Sequence, residues 1–424
     1  MGRAPTWLGE RCALLLLHLE RSMVRLIKRL LYRKFRAGQT LSTVLVFRTG
    51  RLGDFLNAVP ALNLLRSRLP KARVILATTA SSLPAMQSIT GAYADLNALP
   101  WLEFVTPAVV NRALSFSMTG RGRGLGAMGS LIREEQPDVI FVLSNLGDSL
   151  AGKLRKLVYF RLAGFKGPIF GFDSLASGHT FARSQYHLGL YEHEVLGPAR
   201  AVSECAAIGA FRESELLQEV SIPAPAISWA RSLLGGLGWL DNNLIAVSPG
   251  ATFSHKVWPT AGYVRVCREL WQRYDCRFVL VGIAADRPLA EALQAELGTR
   301  CVDVTGRTSV TQLAALLRLC RLFVGNDGGP AHLASAAGCP CVTVTSALDF
   351  PGRWEPWNSR LRVARVRIAC EFCLSLTCCP LKTNACITSV DPQQVLRMCS
   401  EVLDVPLEHR PHRPAALCSD RHSC

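Results

Sequence analysis

A chain of 424 residues exceeds what one hydrophobic core serves and fits two domains. Its 49% hydrophobic fraction is that of a globular protein, and no uncharged apolar run of about 18 residues is present, which excludes an evident transmembrane span. With 48 Lys and Arg against 32 Asp and Glu the formal charge is +16 and the expected partner is anionic; with no DNA- or RNA-binding motif and no aromatic interleaving, a membrane surface or a phosphorylated substrate fits better than nucleic acid.

Residues 11–36 read RCALLLLHLERSMVRLIKRLLYRKFR. Leu16, Leu19, Met23, Leu26, Ile27, Leu30 and Leu31 recur at helical spacing, Arg21, Arg25, Lys28, Arg29, Arg33 and Lys34 take the other face, and no acid follows Glu20. This is the pattern of an interfacial helix on anionic lipid, and the plain alternative is a helix packed on the protein's own body with a solvated basic face. The apolar run at 12–19 is short, contains His18 and has no small-residue cleavage site, so no export is expected and a reducing cytoplasm is.

Residues 43–48 (TVLVFR) are a buried-type strand, followed by the loop Thr49, Gly50, Arg51, Leu52, Gly53, Asp54, a helix over 58–69 and a strand over 73–77, which make a βαβ unit. Asp54 stands at a helix N-terminus. It can serve as a cap there, or as a general base at the carboxyl end of a strand, where open α/β sheets bind ligands. The glycine-rich stretch 107–129 follows no strand, so it reads as a mobile basic loop or as a lid over an anionic acceptor. A strand over 137–144 precedes Gly147 to Lys153, which has the GxxxxGK spacing of a phosphate loop, but Leu154 stands where Ser or Thr should hold magnesium. Lys153, Arg155, Lys156, Arg161 and Lys166 read as a basic rim.

Pro223, Pro225, Gly235, Gly236 and Gly238 mark a linker and a helix, and the domain boundary is placed there. The α/β pattern then restarts: a strand over 244–248, the loop PGATFSHKVWP to residue 259, a helix from Thr260, a strand over 276–282 with Asp286 just beyond, a strand over 302–305 and a helix over 309–319. Leu322 to Ser346 reads LFVGNDGGPAHLASAAGCPCVTVTS: a strand, a loop of Gly325, Asn326, Asp327, Gly328 and Gly329, a helix opened by Pro330 and ended by Gly338, and a second strand. Adjacent glycines before a helix leave backbone N–H groups bare for an anion, and His332 sits beside the same mouth. A carboxylate such as Asp327 repels an anion unless it has another task. Both halves read as parallel α/β, each wound once around its sheet.

Of the 16 cysteines, Cys267, Cys276, Cys301, Cys320, Cys339 and Cys341 fall in apolar patterns, where a thiol packs as a small core residue. Cys370, Cys373, Cys378, Cys379 and Cys386 cluster as a zinc site would, or as a loop of free, redox-sensitive thiols. A last helix is expected over 391–403 and a disordered tail after Pro406. The division is therefore 1–40 membrane-surface helix, 41–225 first domain, 226–405 second domain, 406–424 tail.

Several separated segments resemble one family: VLVFRTGRLGDFLNAVPAL at 44–62, PDVIFVLSN at 137–145, VSPGATFSHKVWP at 247–259, VGNDGGPAHLASAAGCPCV at 324–342 and DFPGRWEPW at 349–357, with the Cys-rich segment behind them. In that order they are similar to glycosyltransferase family 9, the ADP-heptose:lipopolysaccharide heptosyltransferases. The resemblance implies a GT-B fold, in which two Rossmann-like domains face across a cleft, the first for acceptor and the second for nucleotide-sugar. It implies that Asp54 is the general base, that Lys256 meets the donor phosphate, and that Asp327, Gly328, Gly329 and His332 hold the donor, with Thr252 and Asp286 near the nucleotide. It implies ADP-heptose as donor and a lipid-linked lipopolysaccharide-core acceptor at the inner face of the bacterial cytoplasmic membrane. Gly328 departs from the family pattern, since many members have Thr or Ser there. No D-x-D pair occurs, so no metal site for the diphosphate and no cofactor is expected. The competing readings are a non-catalytic binder of nucleotide-sugar or anionic lipid, and a phosphotransferase using Lys153.

Overall fold

A computed structural model describes residues 7–36, 38–79, 104–105, 109–115, 123–143, 149–173, 186, 192–240, 243–357, 360–375 and 377–405. Eleven strands are described: β1 (Thr43–Thr49), β2 (Arg73–Thr79), β3 (Arg112–Ser115), β4 (Val139–Val142), β5 (Ile169–Phe170), β6 (Leu244–Ser248), β7 (Arg277–Leu280), β8 (Cys301–Asp303), β9 (Leu322–Asn326), β10 (Cys341–Val344) and β11 (Leu361–Ala364). The helices are α1 (Trp7–Leu31), α2 (Leu52–Leu56), α3 (Val59–Arg68), α4 (Arg123–Glu135), α5 (Leu150–Leu162), α6 (Leu196–Ser203), α7 (Ala224–Gly236), α8 (Thr260–Tyr274), α9 (Arg287–Leu297), α10 (Val310–Leu319), α11 (Gly329–Ala336), α12 (Ala385–Thr388) and α13 (Pro392–Leu403).

The strands form two parallel sheets, ordered β3-β2-β1-β4-β5 and β11-β10-β9-β6-β7-β8. β1 shows why helices must cover both faces. Val44 and Val46 are buried in one apolar cluster, while Leu45 and Phe47, pointing the other way, are buried in another. β6 repeats this, with Leu244 and Ala246 in the first cluster and Ile245 and Val247 in a third. Right-handed crossovers place helices on one face while the chain runs in one direction, so covering both faces requires a return to the first strand and a second run the other way. Each sheet is therefore wound twice, from β1 and from β6, which corrects the single winding expected from the sequence. The cluster holding Val44 and Leu244 is common to both sheets, so apolar packing is continuous between them.

Local corrections follow from burial. The helix expected over 58–69 is α3, and the stretch before it, read as a loop over Thr49 to Asp54, contains the short helix α2. The stretch read as a loop over 107–129 contains β3, which pairs with β2, and the start of α4, where Met128, Leu131 and Ile132 are buried. Burying that face outweighs the poor helix propensity of Gly124, Gly126 and Gly129. At the GxxxxGK segment, Ser149 Oγ accepts the Gly152 N–H at 3.2 Å and Ser149 O accepts the Lys153 N–H at 2.9 Å. Those amides are committed to the helix start, and Lys153 is buried rather than on a basic rim, so the described residues of the segment offer no phosphate cradle. Residues 144–148, the glycine-rich segment up to 122 and the expected tail, 406–424, lie outside the described residues.

Helix α1 packs on the protein's own body through one face, as the plain alternative expects. Ala13, Leu17 and Val24 are buried, Ile27 and Leu31 pack against the first sheet's outer cluster, and α1 contacts α5. Leu16, Leu19, Met23, Leu26 and Leu30 remain exposed. The six core cysteines are buried as expected, with burial pushing Cys276 up to about 12 and Cys301 to about 11. Around Cys370 and Cys386, no group of three or more side chains is arranged to hold a metal among the described residues. There the backbone N–H of Asn384, with those of its neighbours, holds the Cys379 thiol below its usual range.

Candidate functional site

Both sheets reverse their strand order beside their first strand, and a crevice opens there at the carboxyl ends. In the second sheet it lies between β6 and β9, where Ser248 is opposite Gly325. The loop 249–259 leaves from one and Asp327 to Gly329 from the other. Asn326, 2% exposed, ties the two together: its Nδ2 donates to Pro249 O at 2.7 Å and its Oδ1 accepts the Trp258 N–H at 3.1 Å. With the loop pinned, Lys256 in a short 3-10 turn places Nζ 2.6 Å from Asp327 Oδ2, the side chains being 18% and 14% exposed. This is the other task that Asp327 needs beside an anion site. Burial opposes ionisation of Asp327, but Lys256 and the nearby His332 outweigh it and hold the carboxyl below its usual range.

Gly328 is extended, with φ 177°, and caps α11; Gly329 begins the helix and Pro330 has no N–H to leave unpaired. A Cβ built on Gly328 would meet only Pro330 Cδ, at 3.9 Å. His332, in the first turn, is 4% exposed and its Nδ1 is buried without a hydrogen-bond partner among the described residues. Burial lowers its pKa, against the pull of Asp327 and Asp54, so the ring is neutral near pH 7.

Asp286 lies on the other side of the loop. Its Oδ2 accepts the Ile283 N–H at 3.0 Å, and a Cβ at position 250 would stand 2.0 Å from its Oδ1, so only glycine at 250 admits the carboxylate. Burial pushes the Asp286 carboxyl up. Thr252 is exposed in the same loop, and no hydrogen bond joins it to Lys256 or Asp327 among the described residues.

The first sheet contributes Asp54. It is the third residue of α2, not its cap, and its Oδ2 reaches back to accept the Arg51 N–H at 2.8 Å. Arg48, 2% exposed at the end of β1, donates from Nε and Nη2 to Asp54 O at 3.1 and 2.6 Å and from Nη1 to Leu143 O at 2.6 Å, with Nη2 also 3.9 Å from Asp54 Oδ1. The loop carrying Asp54 is thus clamped to the carboxyl ends of β1 and β4.

The two sheets bring these groups together. α2 packs on α11, and a Cβ on Gly53, beside Asp54, would be 3.2 Å from His332 Cδ2. The Arg51 guanidinium lies over the Phe253 ring at 5.4 Å. Gln218 bridges the same seam, donating to Leu56 O at 3.0 Å and accepting from Ser335 Oγ at 2.9 Å. Farther along, Arg353 Nε meets Glu194 Oε1 at 2.8 Å, both buried, and Trp357 Nε1 donates to Leu216 O at 2.8 Å. Asp54, His332, Asp327 and Lys256 therefore line one mouth, with Asp286 on the loop behind it. Arg48, Asn326, Gln218 and Arg353 are supporting residues that the sequence reading missed. Arg48 could have been found as a lone charge in the apolar strand TVLVFR.

The sequence model of Glycosyltransferase family 9 (heptosyltransferase) matches residues 167–383, slightly more than half of the chain. Lipooligosaccharide heptosyltransferase 2 of Campylobacter jejuni is 26% identical over 164 residues, 38% of this chain and 51% of that protein. Lipopolysaccharide heptosyltransferase 2 of Escherichia coli is 31% identical over 133 residues, 30% of this chain and 37% of that protein. The chain thus spans about half the length, or less, of the curated relatives it matches. A family 9 glycosyltransferase of Veillonella parvula shares the fold with TM-score 0.61 and 15% identity, over 85% of this chain and 97% of that one. E. coli ADP-heptose lps heptosyltransferase II shares it with TM-score 0.57 and 18% identity, over 85% and 98%. The two facing parallel sheets are the GT-B arrangement of those structures. The chain belongs to glycosyltransferase family 9, the heptosyltransferase family.

Proposed function

We propose that this protein is an inverting glycosyltransferase that moves a heptose, or a related sugar, from ADP-heptose to a lipopolysaccharide-core or other lipid-linked anionic acceptor. The observation that carries this reading is the meeting of Asp54 from one sheet with Lys256, Asp327 and His332 from the other. The family description and the relatives' names support heptose as the sugar.

In this reading Asp54 takes the proton of the acceptor hydroxyl as its oxygen attacks the anomeric carbon. The bond from that carbon to the diphosphate oxygen breaks, the configuration inverts and ADP leaves. Lys256 Nζ and the Gly328 and Gly329 amides meet the developing charge on the diphosphate, as donors at a helix start do. Asp327 keeps Lys256 aimed at the mouth, neutral His332 closes its floor, and Thr252 and Asp286 border the nucleotide. With that one cation and those two amides in place, and no D-x-D pair in the sequence, transfer needs no divalent metal. Residues 41–225 would take the acceptor and 226–405 the donor.

We place the enzyme on an anionic membrane surface, the inner face of the bacterial cytoplasmic membrane. Among the described residues no helix is long and apolar enough to cross a membrane, while α1 exposes leucines beside basic residues. The test is transfer by purified protein from ADP-heptose to a delipidated core acceptor, followed by mass spectrometry, together with ADP-heptose binding. Transfer of one heptose is the expected result. Binding without transfer would favour the non-catalytic reading.

A further inference from the structure

The apolar residues of α1 divide between two faces. One is used by the fold, through Ala13, Leu17 and Val24. The other, Leu16, Leu19, Met23, Leu26 and Leu30, recurs at steps of three and four and forms one stripe, its members 39% to 75% exposed. Nothing among the described residues covers it.

At the C-terminal end of the same helix, a cavity of about 440 Å³ opens against the edge strand β5. Arg25, Lys28, Arg29, Arg33 and Lys34 line it, with Asp173 as the one acid in its wall. Arg25 is paired with Asp173 at 3.1 Å and Lys28 with Glu204 at 3.5 Å. No carboxylate lies within ion-pair distance of Arg29, Arg33 or Lys34 among the described residues. The cavity is held on the body of the protein: Tyr32, 7% exposed, donates its hydroxyl to Leu157 O at 2.5 Å, and the Arg33 N–H donates to Lys166 O at 2.9 Å. Basic groups in a last helical turn also complement the helix dipole, but Arg33 and Lys34, which line the cavity too, lie beyond the end of α1 at Leu31.

Arg25 and Arg29 each precede a stripe leucine, Leu26 and Leu30, so they stand about 100° from it around the helix. The cavity therefore opens on the flank of the stripe, the arrangement of a group lying at a bilayer interface with its cations at headgroup level. A second copy docked through the stripe would instead bring its own Arg29 and Arg33 to the same seam, where Glu20 is the only acid in the whole of 11–36.

We propose that the cavity binds the phosphate headgroup of an anionic phospholipid through Arg29, Arg33 and Lys34, while the Leu16 to Leu30 stripe enters the acyl region of the same leaflet. This deepens the membrane reading given above and rests on it, but it does not depend on the sugar that is transferred. Full-length protein is co-sedimented with vesicles of phosphatidylcholine with and without phosphatidylglycerol, and its activity on a soluble acceptor is followed separately. Changing Arg29→Ala, Arg33→Ala and Lys34→Ala together should weaken binding to phosphatidylglycerol vesicles on the order of a hundredfold, since each cation near an anionic surface contributes about a factor of five. A control with Lys71→Ala, Arg231→Ala and Arg265→Ala, which removes the same charge elsewhere, should bind much more nearly as the wild type does. Soluble glycerol phosphate should compete weakly and only with the wild type. Leu19→Gln with Leu26→Gln should lower binding to both kinds of vesicle. Equal losses in the triple variant and the control would overturn the site in favour of diffuse charge. Loss of dimers in the Leu19 and Leu26 variant with unchanged vesicle binding would show that a second copy covers the stripe. Absence of transfer by the wild type, with its vesicle binding intact, would count against the transferase reading alone.

Discussion

Lys256 Nζ and Asp327 Oδ2 stand 2.6 Å apart, joining a loop that leaves β6 to the residue that follows β9. Asp327→Asn removes the partner that aims Lys256 and leaves a half-buried ammonium beside a neutral amide. The variant should lose about 1–3 kcal/mol of stability and bind ADP-heptose more weakly. The pair contributes fully above the ordinary carboxyl pKa of about 3.9 and is lost as pH falls through the lower folded value. Urea denaturation and donor calorimetry measure both effects. Unchanged donor affinity would show that Lys256 needs no help from Asp327.

Gly328 stands where many family members carry a hydroxyl residue, and the backbone does not require glycine. Its φ is 177° and a Cβ meets only Pro330 Cδ, at 3.9 Å. Gly328→Thr should therefore leave the melting temperature within a few degrees of wild type and tighten donor binding about two- to tenfold through one added hydrogen bond. A large loss of stability would show that the mouth is tighter than this geometry allows.

His193 is driven down to about 4 by burial, against the pull of its bond to Glu355 O, which lies 2.7 Å from Nε2. The unfolded chain protonates it near pH 6.5, so unfolding takes up a proton between those values. Its contribution is full above about pH 6.5 and falls as pH drops toward 4, and His332, also lowered by burial, acts in the same direction. Denaturation at pH 7 and pH 5 should show wild type weaker at pH 5. In His193→Gln the pH slope should shrink by up to one proton, about 1.4 kcal/mol per pH unit. An unchanged slope would remove His193 from the account.

If Lys256 and the helix-start amides meet the diphosphate as proposed, transfer should persist in excess EDTA. Loss of activity restored by magnesium or manganese would contradict that mechanism. Slow loss with release of a different metal would point instead to the cysteines between 370 and 386.

Much of the fold was legible because parallel strands buried on both faces are apolar runs, as TVLVFR and LFVGN are. The helix start at Gly329 was legible because Gly and Pro constrain backbone at short range. Strand order was not, since periodicity states which face is apolar but not which strand lies beside it. Helix α4 was hidden by its glycines, which packing of Met128 and Ile132 overrules. The candidate site was legible as residue types, while its supports were not: Arg48 meets Leu143, and Asn326 meets Pro249, at separations in the chain that local pattern does not reach. The same is true of α1, whose two faces look like one stripe until the body against which Leu17 packs is known.

The central claim is that Asp54 takes the acceptor proton. In Asp54→Asn the side-chain oxygen still accepts the Arg51 N–H, so the loop and its Arg48 clamp should be kept. Single-turnover transfer from ADP-heptose to a soluble acceptor, measured beside donor affinity, isolates the proton step. The account predicts a rate lowered roughly 10²- to 10⁴-fold with donor affinity nearly unchanged. Full turnover by the Asn variant would contradict it.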